Sequence, residues 1–320
     1  MKLFQAYLED RQLRWVSDRA IPLDCSDNIG RDTREYELFK KIAGQKLYGD
    51  SEYWGLISWK FEHKCQIPVA DFADYCADRF AEGYDCTFIN PMIGNEAFFM
   101  NVWEQGTYAH RGMEQIALYL HRTLGYRTKR WMSRDCFAMC NYFVANEKFW
   151  TAYFAFVDAA LQNLEREARQ RSPIGMIYQG NAGYGMDPCV TMRPFVIERL
   201  LSTFLVSDHG LKIASYPFSQ SHYQKKFGRQ MGDLMHELST IKKAGLAQIP
   251  GGKDGVFFED VGAISGAEPS PPDHLRNWGR GRKPFLTSTG VSILTFDDTA
   301  PFFLSDDYLA FREAADSTSV

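Results

Sequence analysis

The sequence predicts an α/β protein built on a mostly parallel sheet, and three observations carry that prediction. Short apolar runs of strand length alternate with amphipathic segments of helix length from residue 1 to about 245. Residues 53–61 (YWGLISWKF) are nearly continuous in apolar side chains, as a strand covered on both faces should be. Hydrophobic residues make up 45% of the 320 and aromatics 15%, enough to bury a sizeable core, so global disorder is excluded.

Residues 3–8 (LFQAYL) read as the opening strand. Ile21, Pro22 and Leu23 form a short apolar piece leading to a polar turn at 24–31. Residues 33–45 read as a helix with Tyr36, Phe39 and Ile42 on one face, and Asp32 followed three residues later by Glu35 supplies a capping pattern. A turn at Gly49-Asp50 precedes the 53–61 strand. Residues 69–80 form an amphipathic helix, and 86–89 (CTFI) a buried strand ending at Asn90-Pro91. Residues 101–106 (NVWEQG) read as a loop or short turn, 112–124 as a helix, 141–145 (NYFVA) as a strand and 147–171 as a long helix. The Gly, Ser, Asn and Pro residues of 172–188 suit a mobile connection. Helix at 194–205, strand at 212–216 and helix at 223–244 follow. Beyond Pro250 the composition changes. Residues 251–284 are rich in Gly and Pro, carry a basic cluster at 276–283, and read as a lid, linker or tail. A strand at 291–296 and a terminal helix at 305–315 complete the expectation of one domain over 1–250 with a C-terminal extension over 251–320.

Lys and Arg number 36 against 40 Asp and Glu, a net charge of −4, so no basic excess points to a nucleic-acid partner. No apolar run reaches the ~18 residues of a membrane-spanning helix, and charge arrives too soon after Met1 for a secretory leader. The seven cysteines, scattered from Cys25 to Cys189 with no Cys-x-x-Cys pair, read as reduced thiols of a cytoplasmic protein. Neither a P-loop, nor the Gly-rich dinucleotide fingerprint, nor a G-x-S-x-G elbow occurs. In open α/β sheets ligands bind at the carboxyl ends of the strands, so the loops there hold the candidate residues.

Asp27-Asn28-Ile29-Gly30, the helix with Arg34, Glu35 and Tyr36-Glu37-Leu38, and Gly55-Leu56-Ile57-Ser58-Trp59-Lys60-Phe61 form an ordered set. The set resembles glycosyltransferases of the GT-A fold. It is most similar to a GT-A-like family from bacterial capsule and lipopolysaccharide gene clusters, whose pattern runs Asp-Asn-Ile-Ser, Tyr-x-Glu-Leu, Gly-Leu-x-His-Tyr-Arg-Arg-Tyr-Phe. Residues 85–91, the segment Cys140-Asn141-Tyr142-Phe143-Val144-Ala145 and the helix start Pro194-Phe195-Val196-Ile197-Glu198-Arg199-Leu200-Leu201 extend the resemblance over roughly residues 1–217.

The resemblance implies a GT-A-like, Rossmann-related sheet flanked by helices and a nucleotide-sugar-dependent transferase of surface polysaccharide or lipopolysaccharide synthesis. The donor would be a UDP- or other NDP-sugar and the acceptor a glycan or glycolipid, with no tightly bound cofactor. Ser58-Trp59-Lys60 stands where many such enzymes carry a metal-binding Asp-x-Asp. On this reading Lys60 supplies the positive charge that a divalent metal otherwise brings to the leaving diphosphate, and no metal is required. Glu198 is the candidate general base of an inverting displacement, with Glu104 its rival. Asp27, Asn28, Arg34 and Arg199 would join Lys60 around the nucleotide. Trp103 would stack on a sugar face, while Asn90, Gln105, His110 and Asn141 would bind sugar or acceptor hydroxyls. The basic stretch 276–283 would touch anionic lipid or polysaccharide at the inner face of the membrane.

Each residue also has a plain structural role open to it. Lys60 and Glu198 could sit in ion pairs, and Asp27, Asn28 and Arg34 in caps and surface pairs. Trp103 could anchor a loop, and Asn90, His110 and Asn141 could be satisfied interior groups. A retaining transferase, or a carbohydrate-binding scaffold without catalysis, are the competing functions.

Overall fold

In a computed structural model, residues 1–27, 35–182, 190–207 and 209–247 are described. The extension expected over 251–320, with its strand, helix and basic cluster, lies outside the described residues.

The chain begins with β1 (Lys2–Tyr7), a 3-10 turn (Asp10–Trp15), β2 (Ile21–Asp24), α1 (Glu35–Gly44) and β3 (Tyr53–Ser58). There follow α2 (Phe61–Cys65), α3 (Val69–Ala81), β4 (Cys86–Phe88), α4 (Asn95–Phe98), α5 (Val102–Ala109) and α6 (Met113–Leu124). Next come β5 (Phe143–Asn146), α7 (Glu147–Arg169), α8 (Pro173–Gln179) and α9 (Arg193–Leu205). The described chain closes with β6 (Ile213–Ser215), α10 (Gln220–Phe227) and α11 (Arg229–Ala247).

The strands form one six-stranded sheet in the order β2-β1-β3-β5-β4-β6. All pairings are parallel except those of β5, which runs antiparallel between β3 and β4. The protein is thus an α/β fold with a Rossmann-like, mostly parallel sheet flanked by helices.

Side-chain alternation along β3 sends neighbouring aromatics to opposite faces. Trp54 stacks on Trp150 of α7 with ring centroids 3.9 Å apart, and the Trp150 indole N–H donates to Trp54 O. Phe39 of α1 packs on Phe143 and Trp150, so α1 and α7 cover that face. Tyr53 stacks on Phe80 of α3, which covers the other. At Gly55 of β3 the β5 backbone leaves no room for a side chain. A Cβ there would fall 2.1 Å from Phe143 O and 2.8 Å from Val144 Cα, both backbone atoms. Gly55→Ala is therefore expected to cost about 1–3 kcal/mol, measured as a lower urea midpoint at unchanged m-value.

Four expectations are corrected. The 53–61 strand stops at Ser58, because Lys60 turns to φ −83°, ψ 5° and Phe61 is buried as the first residue of α2. Residues 101–106 are not a loop: Asn101 caps α5 by accepting from the Trp103 and Glu104 amides. The 172–188 connection contains α8, started by the Ser172 cap and Pro173. The 223–244 helix is two helices, broken at Gly228 with φ +79°.

Candidate functional site

Because β5 runs antiparallel, its amino end lies at the same edge of the sheet as the carboxyl ends of β3 and β4. That edge is where an open α/β sheet binds ligands. The residues leading into β5 are conformationally costly there. Cys140 and Asn141 are consecutive non-glycine residues in the left-handed region, with φ +63° and +52°. Such residues cost about 1–3 kcal/mol each, the lower end applying to Asn, and persist only where their surroundings enforce them.

The enforcing partners come from α9 and β3. The Cys140 amide donates to Glu198 Oε1 at 2.8 Å. One turn along the same helix face, Ser202 Oγ accepts from the Ala138 amide and donates to the Ala138 carbonyl. Tyr142 and Ser58 hydrogen-bond through their hydroxyls, and the Ile89 amide donates to Tyr142 O. Asn141 is buried, and its Oδ1 has no hydrogen-bond partner among the described residues.

Glu198 keeps 22% of its side-chain surface exposed, with Oε2 3.6 Å from Arg199 Nη1. Lys64 of α2 reaches the same place, its Nζ 3.4 Å from Cys140 Sγ. Burial disfavours the Lys64 ammonium, but its neighbours, the Glu198 and Glu35 carboxylates among them, more than offset that and hold its pKa well above the ordinary lysine range. Burial pushes the Cys140 thiol up to about 12, so it is a neutral thiol and not a nucleophile at physiological pH. The edge therefore presents a carboxylate, an ammonium and a buried amide on an enforced turn. A carboxylate in this setting can take a proton, and an ammonium can meet developing negative charge.

The structure sorts the residues singled out in the sequence into two groups. Asp27, Lys60, Asn90, Asn141 and Glu198 lie along the carboxyl edge. Asp27 is exposed and 3.9 Å from Lys41. Asn90 Oδ1 accepts from the Met92 amide, turning the chain after β4. Lys60 Nζ lies 4.8 Å from the Trp59 ring centre, and that ring stacks on Trp15 from the 3-10 turn. Lys60 is thus drawn towards the β1 side of β3, while Lys64 faces Glu198. Asn28 and Arg34 lie outside the described residues.

The second group is interior structure between α5 and α9, and the roles expected of it are corrected. Trp103 is 2% exposed, and its indole N–H donates to Thr203 Oγ1 at 2.8 Å, so no sugar can stack on it. Arg199 is 1% exposed and donates to Val102 O, Phe195 O and Gln105 Oε1, which removes both it and Gln105 from ligand contact. Burial lowers the Arg199 pKa to about 10, which still leaves it charged at neutral pH. Glu104 accepts from the Met100 amide at the start of α5, a capping role that argues against a base. His110 is buried, donates from Nδ1 to Ala182 O and packs on the Phe195 ring.

The sequence offers Lys64, with His63, as a supporting candidate beside Lys60, and does not single out Ser202 as a determinant of the turn. The four-residue spacing of Glu198 and Ser202, which places two polar side chains on one helix face, was the available signal. Among the described residues, no helix is long and apolar enough to cross a membrane, and no group of three or more His, Cys, Asp and Glu could hold a metal ion. Comparison of the chain with protein-family models, curated proteins and solved structures gives no match.

Proposed function

We propose that the protein is a nucleotide-sugar-dependent glycosyltransferase with a GT-A-like site at the carboxyl edge, acting on a glycan or glycolipid acceptor of surface-polysaccharide synthesis. One observation carries the reading. Glu198 is a partly exposed carboxylate, held by the Cys140 amide at the strand ends where a Rossmann-like sheet takes its ligands, with a lysine beside it. In the proposed inverting step, Glu198 takes the proton of an acceptor hydroxyl as that oxygen bonds to the sugar anomeric carbon. The bond from that carbon to the diphosphate oxygen breaks, and its electron pair leaves with the nucleoside diphosphate towards Lys64 in the last turn of α2.

A thermal-shift screen against nucleoside diphosphates and their sugars, with EDTA and separately with Mg²⁺ or Mn²⁺, tests this. A ligand at about 100 times its Kd adds ~2.7 kcal/mol of stability, a readily measured shift. One nucleotide that stabilises the protein identifies the donor base, and product anomer analysis then separates inversion from retention. If every nucleotide leaves the melting temperature unchanged while glycans raise it, the protein is a carbohydrate-binding scaffold.

A further inference from the structure

A cavity of about 320 Å³ opens where α2, the turn into α3 and α10 meet. Glu62, His63, Gln66, Ile67, Pro68 and Lys225 line it. That volume falls at the lower end of the range of small-ligand sites, about 300–1,000 Å³.

The walls are fixed without a ligand. Lys225 Nζ donates to Gln66 O at 3.1 Å. The next residue, Lys226, donates to Pro91 O and reaches Lys64 O at 3.4 Å, so α10 is clamped on the end of α2. Gln66 closes α2 in the left-handed region with φ +57°, its amide donating to Glu62 O at 2.7 Å. That conformation is costly for glutamine and persists where its surroundings enforce it.

Two acceptors on these walls are open. Glu62 is exposed, and its Oε1 accepts from the Val69 amide at 3.0 Å. Glu62 Oε2 takes no hydrogen bond among the described residues. Gln66 Oε1 is buried and has no partner among the described residues. A half-turn of the Gln66 amide exchanges that oxygen with its nitrogen, so the group can accept from a ligand or donate to it. Glu62 and Lys225 carry opposite charges, which suits a neutral ligand better than an ion. Ile67 and Pro68 add an apolar patch. A neutral molecule with hydroxyls around its edge and a C–H face meets all of these demands, and a pyranose is such a molecule.

We propose that this cavity holds a sugar ring, with hydroxyls on Glu62 and Gln66 and the C–H face on Ile67 and Pro68. That the ring is a non-reacting residue of the acceptor glycan rests on the transferase reading. The five-residue helix α2 contributes to both places: Lys64, next to His63 of the cavity, has its Nζ 3.4 Å from Cys140 Sγ on the turn that Glu198 holds.

The test is saturation-transfer NMR titration of the full chain with the methyl pyranosides of glucose, galactose, mannose, rhamnose and N-acetylglucosamine. At least one is expected to bind, with saturation strongest at the C–H protons of one ring face. Gln66→Asn tolerates the left-handed φ but withdraws the amide from the cavity. Glu62→Gln keeps an acceptor for the Val69 amide and removes the charge. Each is expected to weaken the bound glycoside by about 10-fold, the value of one hydrogen bond, and the two together by about 100-fold. The melting temperature should move little in either. If Gln66→Asn does not fold, Gln66→Gly, unstrained at the same φ, takes its place.

A double variant that binds the glycoside at wild-type strength overturns the subsite, and so does a wild type that binds none of the glycosides. A nucleotide that stabilises the chain while no glycoside binds removes the subsite and leaves the transferase reading standing. A glycoside bound through Glu62 and Gln66 while no nucleotide binds keeps the sugar site and replaces the transferase with a carbohydrate-binding scaffold.

Discussion

Replacing Glu198 with glutamine is expected to lower kcat for glycosyl transfer by about 100- to 10,000-fold, the range for loss of a positioned general base. Glutamine has the same shape, and its amide oxygen can still accept the Cys140 N–H that Glu198 Oε1 accepts now. The left-handed turn at Cys140 and Asn141 should therefore persist, and the melting temperature should move little. What glutamine lacks is a basic oxygen to receive the acceptor proton. Donor affinity should stay within a few fold of wild type, so the loss belongs in kcat and not in donor KM. A variant that retains a third or more of wild-type kcat would remove Glu198 from catalysis. A variant that loses nucleotide binding in parallel would make Glu198 a structural support of the turn. Glu198→Asp separates the two further: its shorter side chain keeps the carboxylate but withdraws it from Cys140, so an effect on stability is expected from Asp and not from Gln.

Much of the fold was legible because its strongest signals are local. Helices α3, α6, α7 and α9 fall within a residue or two of their expected bounds, since each repeats apolar residues at helical spacing over ten residues or more. The misreadings have long-range causes. The apolar run through Phe61 looked like one strand, but Phe61 is buried against Phe72 and Tyr142 in a helix that only the folded chain explains. The direction of β5 is invisible in its four residues, yet it decides that Asn141 and Cys140 arrive at the site edge.

The site was legible in the same uneven way. Glu198 stood out as a carboxylate in an apolar helix start, and it does reach the edge. Its neighbour Arg199, 100° round the helix, looked equally available, but that rotation points it into α5. Trp103 and Gln105 read as sugar ligands because their partners, Thr203 and Arg199, lie about a hundred residues away. A polar side chain that satisfies another buried polar side chain cannot be told from one awaiting a ligand until both positions are known.

Arg199 should accordingly behave as a keystone of stability rather than of ligand binding. Its guanidinium ties α9 to α5 through Val102 O and Gln105 Oε1, and donates within α9 to Phe195 O. Arg199→Met keeps most of the volume and removes every donor, leaving Gln105 Oε1 and Val102 O buried with lost partners. Removing one member of a buried charged network typically costs about 3–5 kcal/mol. For a chain of this size that is roughly 10 °C in melting temperature, so Arg199→Met should unfold well below wild type by calorimetry. Gly106 supplies an internal control. A Cβ at Gly106 would fall 2.2 Å from Arg199 Nε, so Gly106→Ala destabilises by displacing the guanidinium from its acceptors. In the Arg199→Met background the anchored guanidinium gives way to a flexible chain that can shift aside, and the two losses should add to less than their sum. Full additivity would mean that the arginine and the glycine act independently. A nucleotide affinity unchanged in the folded fraction of Arg199→Met would place this residue in the scaffold, one helix position away from Glu198, the proposed base.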